Sequence, residues 1–245
     1  MNEILAAQLA DDFCCTPQDV MSRRNVFTVY TAREGRRRFH ETKECLLKIA
    51  SVHGKLLVTG REDIVGLCAE RYGRTDAAWF MEPAPLRELD GVLAQFHARV
   101  GQAHPFFIPG RKVHVSLSGF DVHWYDEEAI MQFKDCGRYG EAYAFSPDAP
   151  DVLGVSASRD GLILGMAGAS RDSARMHQIG IGVEERARGQ GLAVGLVVLL
   201  SDALISRGIL PFYGTAMSHI ASQRVAVRAG FEPAWAELCA EACDD

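Results

Sequence analysis

The residues of this chain best suited to chemistry lie at positions 186–191, in the stretch Arg-Ala-Arg-Gly-Gln-Gly. Two arginines supply positive charge, and Gly189 and Gly191 let the backbone approach a bulky group because they lack a Cβ atom. An apolar run, Leu192–Ile205, follows with the length and spacing of a helix. The first N–H groups of a helix have no partner within it and carry partial positive charge. These residues therefore predict a site for phosphate or diphosphate.

A buried strand is predicted immediately before this turn. Residues 176–183 place β-branched side chains at alternate positions, at Ile179, Ile181 and Val183. Glycines lie at the two positions between them, and glycine inside a strand favours a bulge or the close approach of another backbone. The phosphate site is therefore expected on a turn that joins a strand to a helix.

Other phosphate motifs fit this turn less well. A P-loop requires G-x-x-x-x-G-K-[ST], which the sequence does not contain. Gly189 and Gly191 match the dinucleotide fingerprint G-x-G-x-x-G, but position 194 is valine. Asp202 lies inside the predicted helix and cannot be the acidic residue that closes a second strand. A glycine-rich turn that only packs the helix on the sheet is the remaining alternative.

The residues around this turn resemble those of the GNAT superfamily of acyl-CoA-dependent N-acyltransferases. Arg186, Gly189 and Gly191 match its [QR]-x-x-G-x-[GA] signature. A helix expected over residues 218–229 ends in a Gly-Phe pair, and in GNAT domains the corresponding helix runs beside the pantetheine arm of the cofactor. The resemblance covers residues 115–245.

This resemblance implies the fold class and the cofactor, which is acetyl-CoA. The fold is a mixed α/β (α+β) arrangement, with a mostly antiparallel sheet flanked by helices. Besides the strand already described, strands are expected at residues 113–117, 120–125, 151–158, 162–169, 211–215 and 235–239. The third and fourth of these six should form a hairpin, because Asp160-Gly161 lies between them.

The resemblance also implies which residues bind the cofactor. In GNAT folds the fourth and fifth strands splay apart, and the pantetheine amides pair with the backbone of the fourth. A backbone N–H near Ile179 would polarise the thioester carbonyl. The expected cofactor-binding residues are Ile181, Gly182, Val183, Arg186, Arg188, Gly189, Gln190, Gly191, Leu192, Ala193 and Ser222.

The sequence leaves open which group protonates the leaving thiolate. Many GNAT enzymes have N-x-x-[AS]-x-x-[LV]-Y before the Gly-Phe pair. Aligned on that pair, this chain has His219 for the asparagine, Ser222 for the small residue and Ala226 for the tyrosine. The tyrosine that often protonates the thiolate is therefore missing. The candidates for the acid are His219, Ser218, Tyr213 and solvent.

The base is equally open. An amine with a pKa of about 10 must lose a proton in the reaction, and His177 is a candidate because histidine titrates near neutrality. Ordered water is another candidate. The expected reaction is transfer of an acetyl group from acetyl-CoA to a primary amine by direct attack in a ternary complex. A non-catalytic acyl-CoA-binding or regulatory protein is the alternative, suggested by Ala226.

Residues 120–145 resemble the opening of a GNAT domain, where a strand is followed by two helices that line the acceptor side. Asp126 is expected to cap the first helix, and the second is expected over residues 139–145. The candidates to meet a cationic acceptor are Asp126, Glu127, Glu128, Glu141 and Tyr143. A solvated helix face, with acids that favour the helix dipole, is the alternative.

Residues 1–112 are expected to form a smaller α/β domain of unassigned role, and residues 113–245 the GNAT-like domain. The first should contain a strand at 25–31, a hairpin of 44–50 and 55–59, and helices at 3–10, from Pro17, at 62–72 and at 83–100. The basic triplet at 36–38 is interpreted as a solvated turn. No metal site is expected, because ligand spacing is missing among His40, His53, His97 and His104.

Composition indicates a soluble globular protein, with 48% hydrophobic and 24% charged residues. The 7 cysteines are odd in number and include no C-x-x-C, which favours reduced thiols. The N-terminus lacks a basic signal-peptide region, and the longest apolar run is shorter than the roughly 20 residues of a membrane span. The net charge of −6 favours a cationic substrate over nucleic acid. We therefore expect a cytoplasmic protein that acts on a small-molecule or peptide amine, without membrane or nucleic-acid partners, and a homodimer is an open option.

Overall fold

The computed structural model describes residues 2–37 and 45–243. The chain forms two compact units. One contains the residues up to Phe106 together with those from Ala234 onward, and the other is Phe107–Pro233. The domain division expected after residue 112 stays a prediction, and these units differ from it because the end of the last strand belongs with the first unit. Arg38 and His40 lie outside the described residues.

The described residues form helices and strands in the following order along the chain, apart from short 3₁₀ turns. They are α1 (Glu3–Asp12), α2 (Pro17–Met21), β1 (Val26–Val29), β2 (Leu47–Val52), β3 (Lys55–Gly60), α3 (Glu62–Tyr72), α4 (Pro83–Leu93), β4 (Ala98–Pro109), β5 (Asp121–Asp126), α5 (Glu127–Ile130), β6 (Asp151–Arg159), β7 (Leu162–Arg171), β8 (Met176–Val183), α6 (Leu192–Ile205), β9 (Leu210–Gly214), α7 (Ile220–Arg228) and β10 (Phe231–Ala242).

The sheet of the first unit has the strand order β1-β3-β2-β10-β4. β2 and β3 form the predicted antiparallel hairpin, β10 pairs antiparallel with β2, and β1 runs parallel to β3. α3 covers the predicted residues and buries Ile64, Val65, Cys68 and Tyr72. These side chains join Leu47, Leu56 and Phe80 in one hydrophobic core.

The prediction of a single helix over residues 83–100 is wrong. α4 ends at Leu93, a 3₁₀ turn follows, and His97 has a φ of 53°, a left-handed conformation that a helix cannot continue through. The apolar positions keep a helix-like spacing because Phe96 and Val100 pack against the same core as α4. The apolar spacing over residues 83–100 therefore predicts correctly which side chains are buried, but it predicts the wrong secondary structure after Leu93.

The prediction of a solvated basic turn is also wrong, because the Arg37 side chain is buried. Its guanidinium donates to Asp12 Oδ2 at 2.5 Å and to Glu237 Oε2 at 2.9 Å, and Lys48 Nζ lies 3.3 Å from Glu237 Oε1. Burial alone would raise the pKa of Asp12, but the charges of Arg37 and Lys48 outweigh it and hold that pKa below its usual value. A buried arginine requires such carboxylates, and Glu237 is too distant in sequence for the triplet to reveal it.

The sheet of the second unit has the order β9-β8-β7-β6-β5, so this unit also contains a mixed, mostly antiparallel sheet flanked by helices. β6 and β7 form the predicted hairpin around Asp160 and Gly161, whose φ angles are both positive. α6 covers the predicted residues and packs on β6, β7 and β8. Its core contacts include Leu196, Val197 and Leu200.

The strand predicted at residues 113–117 is not present. Val113, Val115 and Leu117 are half-buried and alternate with exposed residues, as in a strand. This segment nevertheless pairs with no strand among the described residues. The half-buried side chains pack against the core that contains α6. An extended segment lying on a helix produces the same period-two pattern as a strand.

The helix predicted at residues 139–145 is reduced to one helical turn. The N–H groups of Ala142 and Tyr143 both donate to the carbonyl oxygen of Tyr139 at 2.9 Å. Phe145 then takes a φ of 48°, which ends the turn. We call residues 138–143 the acceptor-side turn, after the role that the sequence predicts for this segment. Here an aromatic and acidic helix-like composition spans too few residues to form a helix.

A row of glycines seats this turn on the sheet. Gly154, Gly168 and Gly180 lie side by side on β6, β7 and β8. A Cβ atom on the first two would collide with Tyr143, and one on Gly180 would meet the carbonyl oxygens of Glu141 and Ala142. Glycine at these positions is therefore what allows the close approach.

Replacing Gly180 by alanine should destabilise the protein by about 2 kcal/mol, since overpacking costs about 1–3 kcal/mol. The new Cβ would lie 2.6 Å from the Glu141 carbonyl oxygen and 2.8 Å from that of Ala142. Gly182→Ala is the matched control on the same strand, because its nearest neighbour would be Glu141 Cβ at 3.6 Å, an ordinary contact. Urea unfolding followed by circular dichroism measures both variants. Equal losses of stability would contradict the role given to the glycine row.

Candidate functional site

β8 has one edge that is paired along its length and one that is mostly open. Its pairing with β7 extends from His177 to Val183. Its parallel pairing with β9 covers only Met176–Gln178, opposite residues 210–212. Beyond that point the register between the two strands ends, while Gly180 to Val183 stay partly accessible. The main-chain groups on this side of residues 179–183 can therefore pair with an extended ligand.

The turn after β8 leads into the glycines at the start of α6. Gly189 and Gly191 have φ angles of 79° and 81°, and a Cβ atom built on either would meet nothing within 4 Å. Gly191 is the residue at the N-terminal cap of α6, and no side chain caps the helix there. The N–H groups of Leu192 and Ala193 thus face an open corner with the positive end of a helix dipole. We call residues 186–193 the glycine corner.

Positive charge and free space make the glycine corner suitable for an anion. Arg186 and Arg188 are both exposed at its rim. Gln190 Nε2 lies 3.5 Å from the carbonyl oxygen of Arg186, across the turn. Apart from the adjacent residues, no protein atom lies within 4 Å of where a Cβ atom on Gly189 or Gly191 would be, so these residues leave room for a diphosphate group.

Tyr213 of β9 and Ser222 of α7 meet beside the open edge. The two hydroxyl oxygens are 2.9 Å apart. Burial raises the pKa of Tyr213 above its usual value, the hydrogen bond between Tyr213 and Ser222 opposes this, and the negative charge of Glu141 adds to the rise. The phenol therefore keeps its proton at neutral pH and can donate it.

The other candidate acid and base residues lie in different surroundings. Ser218 and His219 are exposed just before α7, and His219 makes no side-chain cap to that helix. His177 is only 8% exposed, at the end of β8 remote from the glycine corner. Burial lowers the pKa of His177 to about 4, and Arg171 and Arg207 contribute to that shift. Its imidazole is therefore neutral at physiological pH.

The structure separates the acceptor-side candidates. Asp126 caps α5 by accepting from the N–H of Ala129 at 2.9 Å, as predicted, and Glu127 and Glu128 lie on that exposed helix. Tyr143 is buried and donates to Met166 Sδ at 3.2 Å. Only Glu141 lies against β8.

Sequence reasoning did not single out Arg138, which the structure places at the end of β8. Its guanidinium donates to Glu184 Oε1 at 2.6 Å, and this hydrogen bond lowers the pKa of Glu184. Both residues line a cavity of about 240 Å³ together with Tyr139, Glu141 and Gly182. No motif marks Arg138, because its partner lies 46 positions later in the chain.

Within residues 2–37 and 45–243, no group of three or more histidine, cysteine, aspartate or glutamate side chains could hold a metal ion. In the same residues, no helix has both the length and the apolar character needed to cross a membrane.

Several solved structures are similar to this chain at low identity. A GCN5-related N-acetyltransferase-like protein from Streptococcus suis is 15% identical, with 86% of this chain and 89% of that chain covered and a TM-score of 0.47. An acetyltransferase of the GNAT family from Colwellia psychrerythraea is 14% identical, with coverages of 82% and 83% and a TM-score of 0.46. A GCN5-related N-acetyltransferase from Kribbella flavida is 20% identical, with coverages of 61% and 62% and a TM-score of 0.44.

The family comparison is more direct. None of the curated proteins matches the sequence significantly. Residues 119–231, however, match the sequence model of the acetyltransferase (GNAT) family. That range runs from the start of β5 to the start of β10 and includes the open edge and the glycine corner. The chain therefore contains a domain of the acetyltransferase (GNAT) family and is an N-acetyltransferase whose cofactor is acetyl-CoA.

Proposed function

We propose that the protein transfers the acetyl group to a primary amine by direct attack, with both substrates bound at once. The observation that carries this proposal is the open edge of β8, which runs directly into the glycine corner. An extended amide-containing arm can add to the strand edge, and an anionic group at its end can reach the helix N-terminus. One continuous surface thus suits both parts of the cofactor.

On this proposal the cofactor-binding residues divide by chemistry. The main chain of Ile181, Gly182 and Val183 pairs with the pantetheine amides. The N–H groups at the start of α6, with Arg186 and Arg188, hold the diphosphate, and Gln190 lies at the same rim. Ile181 and Val183 support this division, because their side chains pack into the core while their backbone lies at the accessible edge. Ser222, half-buried on α7, lies beside the arm.

Tyr213 is proposed as the acid. When bound, acetyl-CoA supplies an activated acetyl thioester. Tyr213 gives its phenolic proton to the departing sulfur, and the hydroxyl of Ser222 holds the phenol in place. Ala226 is fully buried one turn after Ser222 and brings no hydroxyl of its own. His219 and Ser218 stay candidates for relaying protons to solvent, since both are exposed.

Thiol release tests the proposed reaction. The full chain is incubated with acetyl-CoA and a panel of amines of different classes: n-butylamine, L-lysine, kanamycin and a short peptide with a free N-terminus. We expect thiol to appear only with an amine present, together with an equal amount of N-acetylated product by mass spectrometry. Binding of CoA without thiol release across the panel would instead support the acyl-CoA-sensing alternative. A burst of thiol release without amine would contradict direct attack.

Replacing Tyr213 by phenylalanine should lower kcat by about 100-fold, because general acid catalysis contributes roughly 10²–10⁴-fold. The affinity for CoA should stay within twofold of wild type in a calorimetric titration. Tyr125→Phe is the matched control, since Tyr125 is also buried and hydrogen-bonded to a serine, Ser156, at 3.0 Å. If both variants keep the wild-type kcat, Tyr213 is not the acid, and His219→Ala becomes the next variant to measure.

Replacing Gly191 by valine should raise the Kd for CoA at least tenfold, about 1.4 kcal/mol. The new side chain would project into the corner that is now open. Gly161→Val is the control, because Gly161 has a similar φ of 75° and equally open surroundings, on the β6–β7 turn. Both variants carry a comparable backbone strain of roughly 1–2 kcal/mol. Wild-type CoA affinity in Gly191→Val would place the diphosphate elsewhere.

A further inference from the structure

The acceptor-side turn brings one carboxylate to the open edge of β8. The Cβ atom of Glu141 lies 3.6 Å, and its Oε2 atom 3.8 Å, from the position that a side chain on Gly182 would occupy. Gly182 belongs to the part of β8 that continues beyond its pairing with β9. Because Gly182 has no side chain, the Glu141 carboxylate lies directly over β8, next to the open edge of that strand.

Two independent contacts fix the backbone that carries Glu141. On one side, the carbonyl groups of Glu141 and Ala142 press on Gly180, and the neighbouring Tyr143 is buried over the glycine row. On the other side, Arg138 is bonded to Glu184 at the end of β8. A surface carboxylate that served only solubility would not need both of these anchors.

The Glu141 carboxylate and the phenol of Tyr213 belong to opposite faces of the same sheet. Tyr213 is packed into the core that contains α6, whereas Glu141 belongs to the turn that covers the glycine face of the sheet. The charge of Glu141 nonetheless raises the pKa of Tyr213. A thioester lying along the open edge of β8 would therefore have one of these two groups on each face of the sheet.

The other titratable groups near the cleft are less suited to receive a proton from the attacking amine. Glu184 is already bonded to Arg138. Glu185 lies on the exposed turn that leads into the glycine corner. His177 is buried at the far end of β8, beside Arg171 and Arg207.

We propose that Glu141 binds the acceptor as its ammonium ion and accepts the protons that the nitrogen loses, an inference that rests on the proposed function. The ammonium first gives one proton to the Glu141 carboxylate, which passes it to solvent. The lone pair of the neutral amine then attacks the thioester carbonyl carbon, so an N–C bond forms and the C–S bond breaks. A second proton passes from nitrogen to Glu141, and one passes from Tyr213 to sulfur. Glu141 again loses its proton to solvent, from which Tyr213 regains one. The products are the N-acetyl amine, free CoA thiol and one proton released to solvent.

This assignment predicts a particular dependence on pH. An alkylamine has a pKa of about 10, so at neutral pH almost all of it is ammonium. With Glu141 present, the enzyme uses that abundant form, and kcat/KM should change little between pH 7 and 9. With glutamine in its place, only the scarce neutral amine can react. Its kcat/KM should then rise about tenfold per pH unit until the pKa of the amine is reached.

The experiment compares the full-length wild type with Glu141→Gln, Glu141→Asp and Glu185→Gln, using n-butylamine or whichever panel amine reacts fastest. The quantities measured are kcat/KM from pH 6.5 to 10, the Kd for CoA and the urea midpoint. Glu185→Gln removes the same charge from the same cavity and serves as the matched control. We expect Glu141→Gln to lose about 100-fold at pH 7 and to recover most of it by pH 10. Glu141→Asp should be intermediate, and Glu185→Gln should have the wild-type pH profile.

The possible outcomes distinguish a failure of the Glu141 assignment from a failure of the proposed acetyl transfer. A wild type that binds CoA but acetylates no amine overturns the proposed function and this inference with it. An active wild type with an unchanged rate in Glu141→Gln overturns only the role of Glu141. A uniform loss at every pH, unrelieved in Glu141→Asp, shows a structural role and overturns the assignment as well. Unchanged CoA affinity and urea midpoint establish that any loss concerns the acceptor.

Discussion

The short parallel pairing between β8 and β9 is the constraint on which the second unit depends. Backbone N–H and C=O groups are nearly always paired in a protein interior, because leaving one unmet costs free energy. Here the pairing stops at Gln178 and β8 continues to Val183. The groups beyond Gln178 lie at a partly accessible edge, where water can satisfy them until a ligand does. α6 begins after the turn that follows β8, so the chain passes from the open edge to the positive helix terminus within a few residues.

Glycine serves this region in two physically different ways. At Gly180 the missing side chain makes room for another backbone, and the φ angle is ordinary, so any steric cost of a substitution comes from the collision. At Gly191 the surroundings are open and the φ angle of 81° is what favours glycine. The first use positions the acceptor-side turn, and the second keeps the corner at α6 clear. A count of glycines in the sequence cannot distinguish the two.

The predictable parts of the fold are those whose signals are local. β8 and α6 begin and end at the residues that the sequence predicts, because an alternating apolar run, a charged turn and two glycines follow one another directly. Two of the errors share one cause: hydrophobic spacing reports which side chains are buried and not which backbone carries them. Val115 packs against the core that contains α6 with the alternation of a strand, and Phe96 continues a helix pattern from outside the helix. The buried Arg37 depends on Glu237, which no local pattern connects to it.

The same distinction applies to the site. The glycine corner was predictable because its residues are contiguous and its chemistry is that of the main chain. The pairing of Tyr213 with Ser222, and the placement of Glu141 over Gly182, depend on elements that only the tertiary fold brings together. A proton donor has to place its hydroxyl near the sulfur, and either a helix or a strand can carry that side chain. On the proposed mechanism, α7 can therefore lack a tyrosine at Ala226 and still contribute, because Ser222 holds a phenol that β9 supplies.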